Sequence, residues 1–306
     1  HAISQKRAHN INLDAAVFTN LSQDHLDYHK NMNEYFAEKE KLFTEVLAAS
    51  NKKNKCMVIN NDCPYGSKIE EVSGTKKITY GQENADITFN ILSQTLQGSV
   101  FKINTPRGSK EVSLPQPGLY NIYNAVAAIG AGLCADVSLD SCVESLKDFK
   151  GVPGRLESVE NEQNLNIFVD YAHTDDALTS VLSTLNIIKG DSNVICVVGC
   201  GGDRDKAKRP KMFAAAKEGA DKVIVTSDNP RTEDPQKIID DMLAGEKPSE
   251  DVVVEIDRKK AIEKAIQLAQ KNDVILIAGK GHEDYQIIGE ERLPFSDVEV
   301  VKGMLS

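Results

Sequence analysis

The chain has 306 residues, enough to bury more than one core, and its length suggests about two domains. A net charge of −10 argues against non-specific nucleic-acid binding, and no apolar run approaches the roughly 20 residues of a membrane helix. The six cysteines (Cys56, Cys63, Cys134, Cys142, Cys196, Cys200) form no C-x-x-C pair, so they read as reduced thiols of a cytoplasmic protein rather than a zinc site or disulfide framework. No signal-peptide pattern opens the chain, and residue 1 is His rather than Met, so a longer polypeptide is expected.

The first half is a mixed α/β pattern. A strand over Ala15 to Phe18 leads into Thr19-Asn20-Leu21-Ser22-Gln23-Asp24-His25-Leu26-Asp27-Tyr28-His29. A 3.6-residue period then predicts a helix of about four turns from Met32 to Ala48. Its apolar stripe is Met32, Tyr35, Phe36, Leu42, Phe43, Val46 and Leu47, with Lys39 on the stripe and Glu38, Lys41 and Glu45 on a charged back. A lysine there must snorkel, pair or serve chemistry. Short strands follow at Met57 to Ile59 and Ile78 to Tyr80, and alternation from Phe89 to Ile103 suggests an antiparallel edge. Gly118 to Asn121 opens an alanine-rich helix running to Leu133.

The chain divides near Gly151-Val152-Pro153-Gly154, giving expected domains at 1–152 and 153–306. Beyond the turn, strands at Ile167 to Val169, Val194 to Val198, Val223 to Val225, Val252 to Val254 and Val274 to Ile277 alternate with amphipathic helices, the pattern of a doubly wound parallel sheet. Thr174 is placed as an N-cap, Pro210 in a first helical turn and Gly245 as a stop. No internal repeat or low-complexity segment interrupts this order.

Three of these strands run into polar, glycine-bearing stretches: Gly199 to Lys206, Ser227 to Arg231, and Gly279 to Glu283. Ligands of such sheets bind beyond the carboxyl ends of the strands, so these loops should converge. Gly199-Cys200-Gly201-Gly202 lacks the third glycine of a dinucleotide loop, since position 204 is arginine. Arg204 and Arg231 offer two guanidinium forks for a carboxylate or phosphate, and Glu283 suits an ammonium, so a zwitterion fits the set. Arg204, Lys206, Lys208, Arg209 and Lys211 form either a basic pocket or a solvated helix start. His25 and His29, interleaved with Asp24 and Asp27, form either a cation site or a capped surface turn. His173 sits at a strand's carboxyl end, where function and incidental capping are both open.

The strings FTNLSQDHLDYH (18–29), YFAEKEKLF (35–43), GLYNIYNAVAAI (118–129), GVPGRLE (151–157), VDYAHT (169–174), GCGGDRDKAKRP (199–210), SDNPRTEDP (227–235) and AGKGHEDYQ (278–286) resemble the Mur ligases, from end to end of the chain. Within that family they look most like the members that add meso-diaminopimelate. The resemblance implies part of a central P-loop-type ATPase domain with a mixed sheet over 1–152, followed by a Rossmann-like amino-acid-binding domain over 153–306. It implies ATP and Mg²⁺ as cofactors, a UDP-N-acetylmuramoyl dipeptide and meso-diaminopimelate as substrates, and a monomer.

By the same resemblance Lys39 would be carbamylated and, with His25, hold Mg²⁺, while Asn121 and Asn124 would contact the nucleotide. Arg155, Asp170 and His173 would line an ATP cleft, and Gln5 and Arg7 the muramoyl substrate. Arg204, Asp228, Asn229, Pro230, Arg231, Gly279 and Glu283 would form the amino-acid pocket. Two departures stand out. Thr174-Asp175-Asp176 replaces the family's T-P-D, and no G-x-x-G-K-[ST] phosphate loop occurs, so the chain alone is expected to be inactive. A lysine-adding ligase, a folylpolyglutamate-type ligase and a non-catalytic binding fragment are the rival readings.

Overall fold

The computed structural model describes residues 2–21, 30–163 and 165–305, and the chain separates into two compact units. The first comprises 1–94, 98–115 and 119–149, and the second comprises 95–97, 116–118 and 150–306.

In the first unit the elements run β1 (Ala15–Phe18), α1 (Met32–Lys41), β2 (Lys55–Asn60), β3 (Thr75–Gly81), β4 (Ile87–Thr95), β5 (Gly98–Thr105), β6 (Gly108–Leu114), α2 (Leu119–Cys134) and α3 (Leu139–Lys147). The six strands form one sheet in sequential order. β1, β2, β3 and β4 pair in parallel, whereas β5 and β6 pair antiparallel at the edge; the stretch from Phe89 to Ile103 expected to form such an edge takes in β5 but not β6. Two apolar clusters flank the sheet. Val58, Tyr80, Ile87 and Phe101 pack under Ile122, Val126 and Ile129 of α2, and Phe18, Met57 and Ile59 pack under Phe43 and Leu47.

Two expectations for this unit fail. The predicted four-turn helix is α-helical only to Lys41 and continues as a π-helical turn over Leu42–Leu47, where Thr44 Oγ1 donates to the Glu40 carbonyl at 3.3 Å. A wider turn departs from the 3.6-residue period, yet the seven apolar residues of the expected stripe are all buried or half-buried, and only charged positions differ from expectation. Lys39 is exposed with Nζ 5.3 Å from the Tyr35 ring centroid, and Glu38, expected on the solvated back, is partly buried with Oε2 lacking a hydrogen-bond partner. The cysteines are not all free thiols: Cys56 and Cys134 form a disulfide with Cα atoms 6.0 Å apart, joining the start of β2 to the end of α2. A pair separated by 78 positions carries no local spacing signal. Cys63, Cys142, Cys196 and Cys200 remain free.

In the second unit the elements run β7 (Glu157–Ser158), β8 (Asn166–Asp170), α4 (Asp175–Ile188), β9 (Val194–Cys200), α5 (Lys208–Gly219), β10 (Lys222–Ser227), α6 (Pro235–Leu243), β11 (Val252–Val254), α7 (Arg258–Leu268), β12 (Val274–Ala278), β13 (Tyr285–Ile288), β14 (Glu291–Pro294) and α8 (Asp297–Leu305). The sheet order is β11-β10-β9-β12-β8-β7, parallel except for β7. Every residue of β9 and β12 is buried, which explains why their sequences are apolar without alternation. One face carries Ile195, Val197, Ile224, Ile275 and Ile277 beneath α7 and α8.

Helix boundaries follow the local signals. Thr174 caps α4 by accepting from the Ala177 N–H at 3.3 Å, Asp234 caps α6 ahead of Pro235, and α6 stops at a left-handed Ala244 before Gly245. The β13–β14 hairpin, not foreseen from sequence, returns the chain past the end of β10.

Candidate functional site

The topology of the second unit fixes where a ligand can sit. The chain winds outward from β9 to β10 and β11, then returns to insert β12 between β9 and β8, so its direction reverses between β9 and β12. Such a reversal opens a crevice beyond the strands' carboxyl ends. The loops after β9, β10 and β12 meet there.

At the centre lies a residue not singled out from sequence, Lys280, whose side chain is fully buried. Its Nζ lies 3.2 Å from Asn229 Oδ1, 3.3 Å from Glu283 Oε2 and 3.4 Å from Asp228 Oδ1. Asn229 Nδ2 donates to the same Glu283 oxygen at 2.9 Å, and Asn229 Oδ1 also accepts from the Ile287 N–H at 2.9 Å. Gln286 Nε2 donates to the Asp228 carbonyl at 2.6 Å. The signal for Lys280 was present, since a cation directly after an all-apolar strand has to be partnered.

The two arginines come to the same place. A Cβ placed on Gly201 would sit 3.0 Å from Arg231 Nη1 and 3.8 Å from Arg204 Cγ, so both side chains border one glycine. Arg231 adopts a left-handed φ of 52°, held by its N–H donating to Ile287 O at 3.1 Å and its carbonyl accepting from Gly289 N at 2.7 Å. Its Nη1 donates to Gly202 O at 2.7 Å and Asn229 O at 3.4 Å, which pins the guanidinium between the loops after β9 and β10. Arg204 is exposed and donates only to its neighbour's carbonyl, Asp203 O, at 3.2 Å among the described residues. Gly202 is required because a Cβ there would run into the Pro230 carbonyl oxygen.

The basic stretch 204–211 is not one pocket. Arg209 is fully buried and donates to both Glu233 oxygens, at 2.8 and 3.1 Å, and to Asp241 at 2.7 Å. With Lys206 at 3.1 Å, this arginine holds the Glu233 carboxyl down at about 2. Glu233 in turn accepts from the Asp203 N–H, bracing the loop that carries Arg204. Lys208 donates to His173 O at 3.0 Å, and Lys211 is exposed.

A second group surrounds the end of β8. Asp170 accepts from the Leu156 and Ala172 N–H groups at 2.6 and 2.8 Å, and burial pushes its carboxyl above the usual range. Its carbonyl accepts from Gly279 N at 3.0 Å, tying this group to the loop after β12. Tyr171 is the hub of a stack. The Arg155 guanidinium lies 4.9 Å from its ring, with His173 at 4.7 Å and His282 at 5.4 Å. Gly154, at φ +69°, packs against the Gly281–His282 backbone with no room for a Cβ.

The first unit assembles less. Asn121 is half-buried and Asn124 exposed in the first turns of α2, and Lys39 is exposed on α1. Gln5 and Arg7 are exposed in a run of turns and are not gathered with the others. His25 lies outside the described residues. Among the described residues no three His, Cys, Asp or Glu side chains converge as a metal site. Past the ends of β2 and β3, beside the first turns of α2, a smaller set that sequence missed does converge, with Tyr123 donating to Asp62 at 2.6 Å beside Gln82 N at 2.7 Å.

Residues 1–132 match the Mur ligase middle domain, and residues 154–281 match the Mur ligase glutamate ligase domain. The chain belongs to the Mur ligases. Its relatives include a UDP-N-acetylmuramoyl-L-alanyl-D-glutamate--2,6-diaminopimelate ligase of Thermosynechococcus vestitus, 44% identical over 310 residues that span 100% of this chain and 61% of the relative. The ligase of the same name from Bacillus cereus is 45% identical, over 99% of this chain and 62% of its own length. A solved structure of a ligase bearing that name superimposes with a TM-score of 0.70 at 37% identity, covering 100% of this chain and 62% of the other. This Mur ligase chain thus spans about three fifths of the length of the relatives it matches. No described helix is long and apolar enough to cross a membrane.

Proposed function

We propose that this chain serves an ATP-dependent acid–amino-acid ligase of peptidoglycan precursor synthesis, working in the cytoplasm, that adds meso-diaminopimelate to UDP-N-acetylmuramoyl-L-Ala-D-Glu. The supporting observation is the pairing, at one sheet crevice, of two guanidinium groups with the Asp228–Asn229–Lys280–Glu283 cluster. Arg204 and Arg231 suit the distal carboxylate of the amino acid, and the acidic side of the cluster suits its ammonium. Lysine lacks that carboxylate, so the lysine-adding alternative leaves both guanidinium groups without a counterpart.

In this reading ATP phosphorylates the D-glutamyl carboxylate, and the incoming amine displaces phosphate from the acyl phosphate, forming the amide and releasing ADP and phosphate. Mg²⁺ would offset charge on the transferring phosphoryl group. Lys39, open to solvent, is accessible for carbamylation, but the described residues do not complete a cation site, and no step is assigned through it. Arg155, Asp170, His173, Asn121 and Asn124 are the proposed nucleotide contacts, and Gln5 and Arg7 the proposed contacts to the muramoyl substrate. Because the sequence has no phosphate loop, the chain by itself should bind without turning over.

Calorimetric titration of the chain with meso-diaminopimelate, L-lysine and ATP tests the assignment. Arg231→Ala should weaken meso-diaminopimelate about tenfold or more, the value of a charge-assisted hydrogen bond, and leave ATP unchanged. Equal losses for both ligands, or tighter binding of L-lysine than of meso-diaminopimelate by the unaltered chain, would sink it.

A further inference from the structure

We infer that Lys280 is a positioning residue that sets the charge of the amino-acid pocket and thereby its preference for a zwitterion over a plain cation; this rests on the function proposed above. The observation is the internal cation itself. Lys280 is fully buried, and its ammonium is shared by three side chains that come from two different loops, Asp228 and Asn229 after β10 and Glu283 after β12. Its flank is closed by the Tyr285 ring at 5.6 Å, which is covered in turn by Arg292 at 3.7 Å. Lys280 therefore has no open path toward a ligand of its own, and its effect must pass through the groups it holds.

Charge bookkeeping gives that effect a sign. Asp228 and Glu283 contribute two negative charges and Lys280 one positive charge, leaving a single net negative charge beside the arginine forks. One net negative charge matches one ammonium, and the neighbouring guanidinium groups match one carboxylate. Without Lys280 the same cluster would carry two uncompensated carboxylates in a largely buried site, repelling the ligand's carboxylate and favouring a ligand that presents an ammonium alone. Lys280 also fixes geometry. It draws Glu283 Oε2 and Asn229 Oδ1 to one point, and Asn229 anchors the β13 backbone through Ile287 N, so the two loops keep one spacing.

The test compares four forms of the chain by titration with meso-diaminopimelate and with L-lysine: unaltered, Lys280→Met, Glu283→Gln, and the double variant. Their cluster charges are −1, −2, 0 and −1. Lys280→Met should weaken meso-diaminopimelate about 30-fold or more while weakening L-lysine far less, so the ratio of the two affinities shifts by at least about tenfold. The double variant, with its charge count restored, should bind meso-diaminopimelate more tightly than either single variant, which a merely structural lysine would not produce. If Lys280→Met does not fold, the double variant against Glu283→Gln carries the same comparison. Parallel losses for both ligands, or additive losses in the double variant, would overturn the inference, as would failure of the double variant to fold. If the unaltered chain gives no heat with meso-diaminopimelate, the proposed function falls as well, whereas binding that is indifferent to position 280 removes this inference alone.

Discussion

The two units handle their candidate residues in opposite ways. In the second, the side chains at the sheet crevice other than the exposed Arg204 are tied down: Lys280 by three partners, Arg231 by carbonyls of two loops, Arg209 by two carboxylates. In the first, Lys39, Asn124, Gln5 and Arg7 are exposed and scattered over different elements. The difference teaches that a doubly wound parallel sheet assembles a site by topology alone, because consecutive strands deliver their loops to one end. A site drawn from a helix face and a terminal run of turns has no such geometric guarantee.

The largest expected effect probes what keeps the second unit's loops in place. Arg258 and Asp297 are both fully buried, bonded through Nε and Nη2 at 2.8 Å, and Arg258 also donates to Ala278 O at 3.0 Å, directly beneath the Gly279-Lys280 turn. Asp297→Ala should strand that guanidinium and destabilise the second unit by about 3–5 kcal/mol in urea unfolding. A loss below about 1 kcal/mol would show that the crevice does not depend on this pair.

In the first unit the corresponding brace is covalent. Reducing Cys56–Cys134, which closes a span of 78 positions, should lower stability by about 4 kcal/mol on the chain-entropy estimate. Thermal unfolding with and without a thiol reductant should show that loss in the first unit's transition and leave the second's in place. Identical traces would mean that packing of α2 already does the work.

The smallest effect is electrostatic. Glu233 titrates at about 2 rather than 4.5 because Arg209 holds its ionised form. A carboxyl depressed on folding stabilises the fold above its ordinary value, and that contribution is lost as pH falls through the depressed one. The stability gap between the unaltered chain and Glu233→Gln should therefore be constant above pH 4.5 and narrow as pH falls toward 2. A gap independent of pH would assign Glu233 a packing role only.

Most of the second unit was legible in the sequence because its signals are local. Buried parallel strands write themselves as unbroken β-branched runs, and Thr174, Pro210 and Gly245 punctuate the helices. The meeting of Arg204 with Arg231 followed from strand order, once parallel winding was assumed. Lys280 escaped notice because glycines on both sides made it look like loop polarity, and its burial depends on Asp228 and Asn229, 52 and 51 positions away, as well as on nearby Glu283. Arg209 looked like one more basic surface residue until Glu233 and Asp241 arrived from elsewhere in the chain. The disulfide and the π-helical turn were invisible for a related reason. One is a long-range pairing, and the other is a change of helical period that apolar spacing alone cannot reveal.

That wide turn absorbs one extra residue. Removing a single position between Leu42 and Leu47 should return the segment to ordinary α-helical winding with little rotation of α1, because six residues at about 4.4 per turn sweep nearly the same angle as five at about 3.6 per turn. Tyr35 and Lys39 sit together on α1, so the amine would keep its place over the ring, and any chemistry it performs there should survive the deletion.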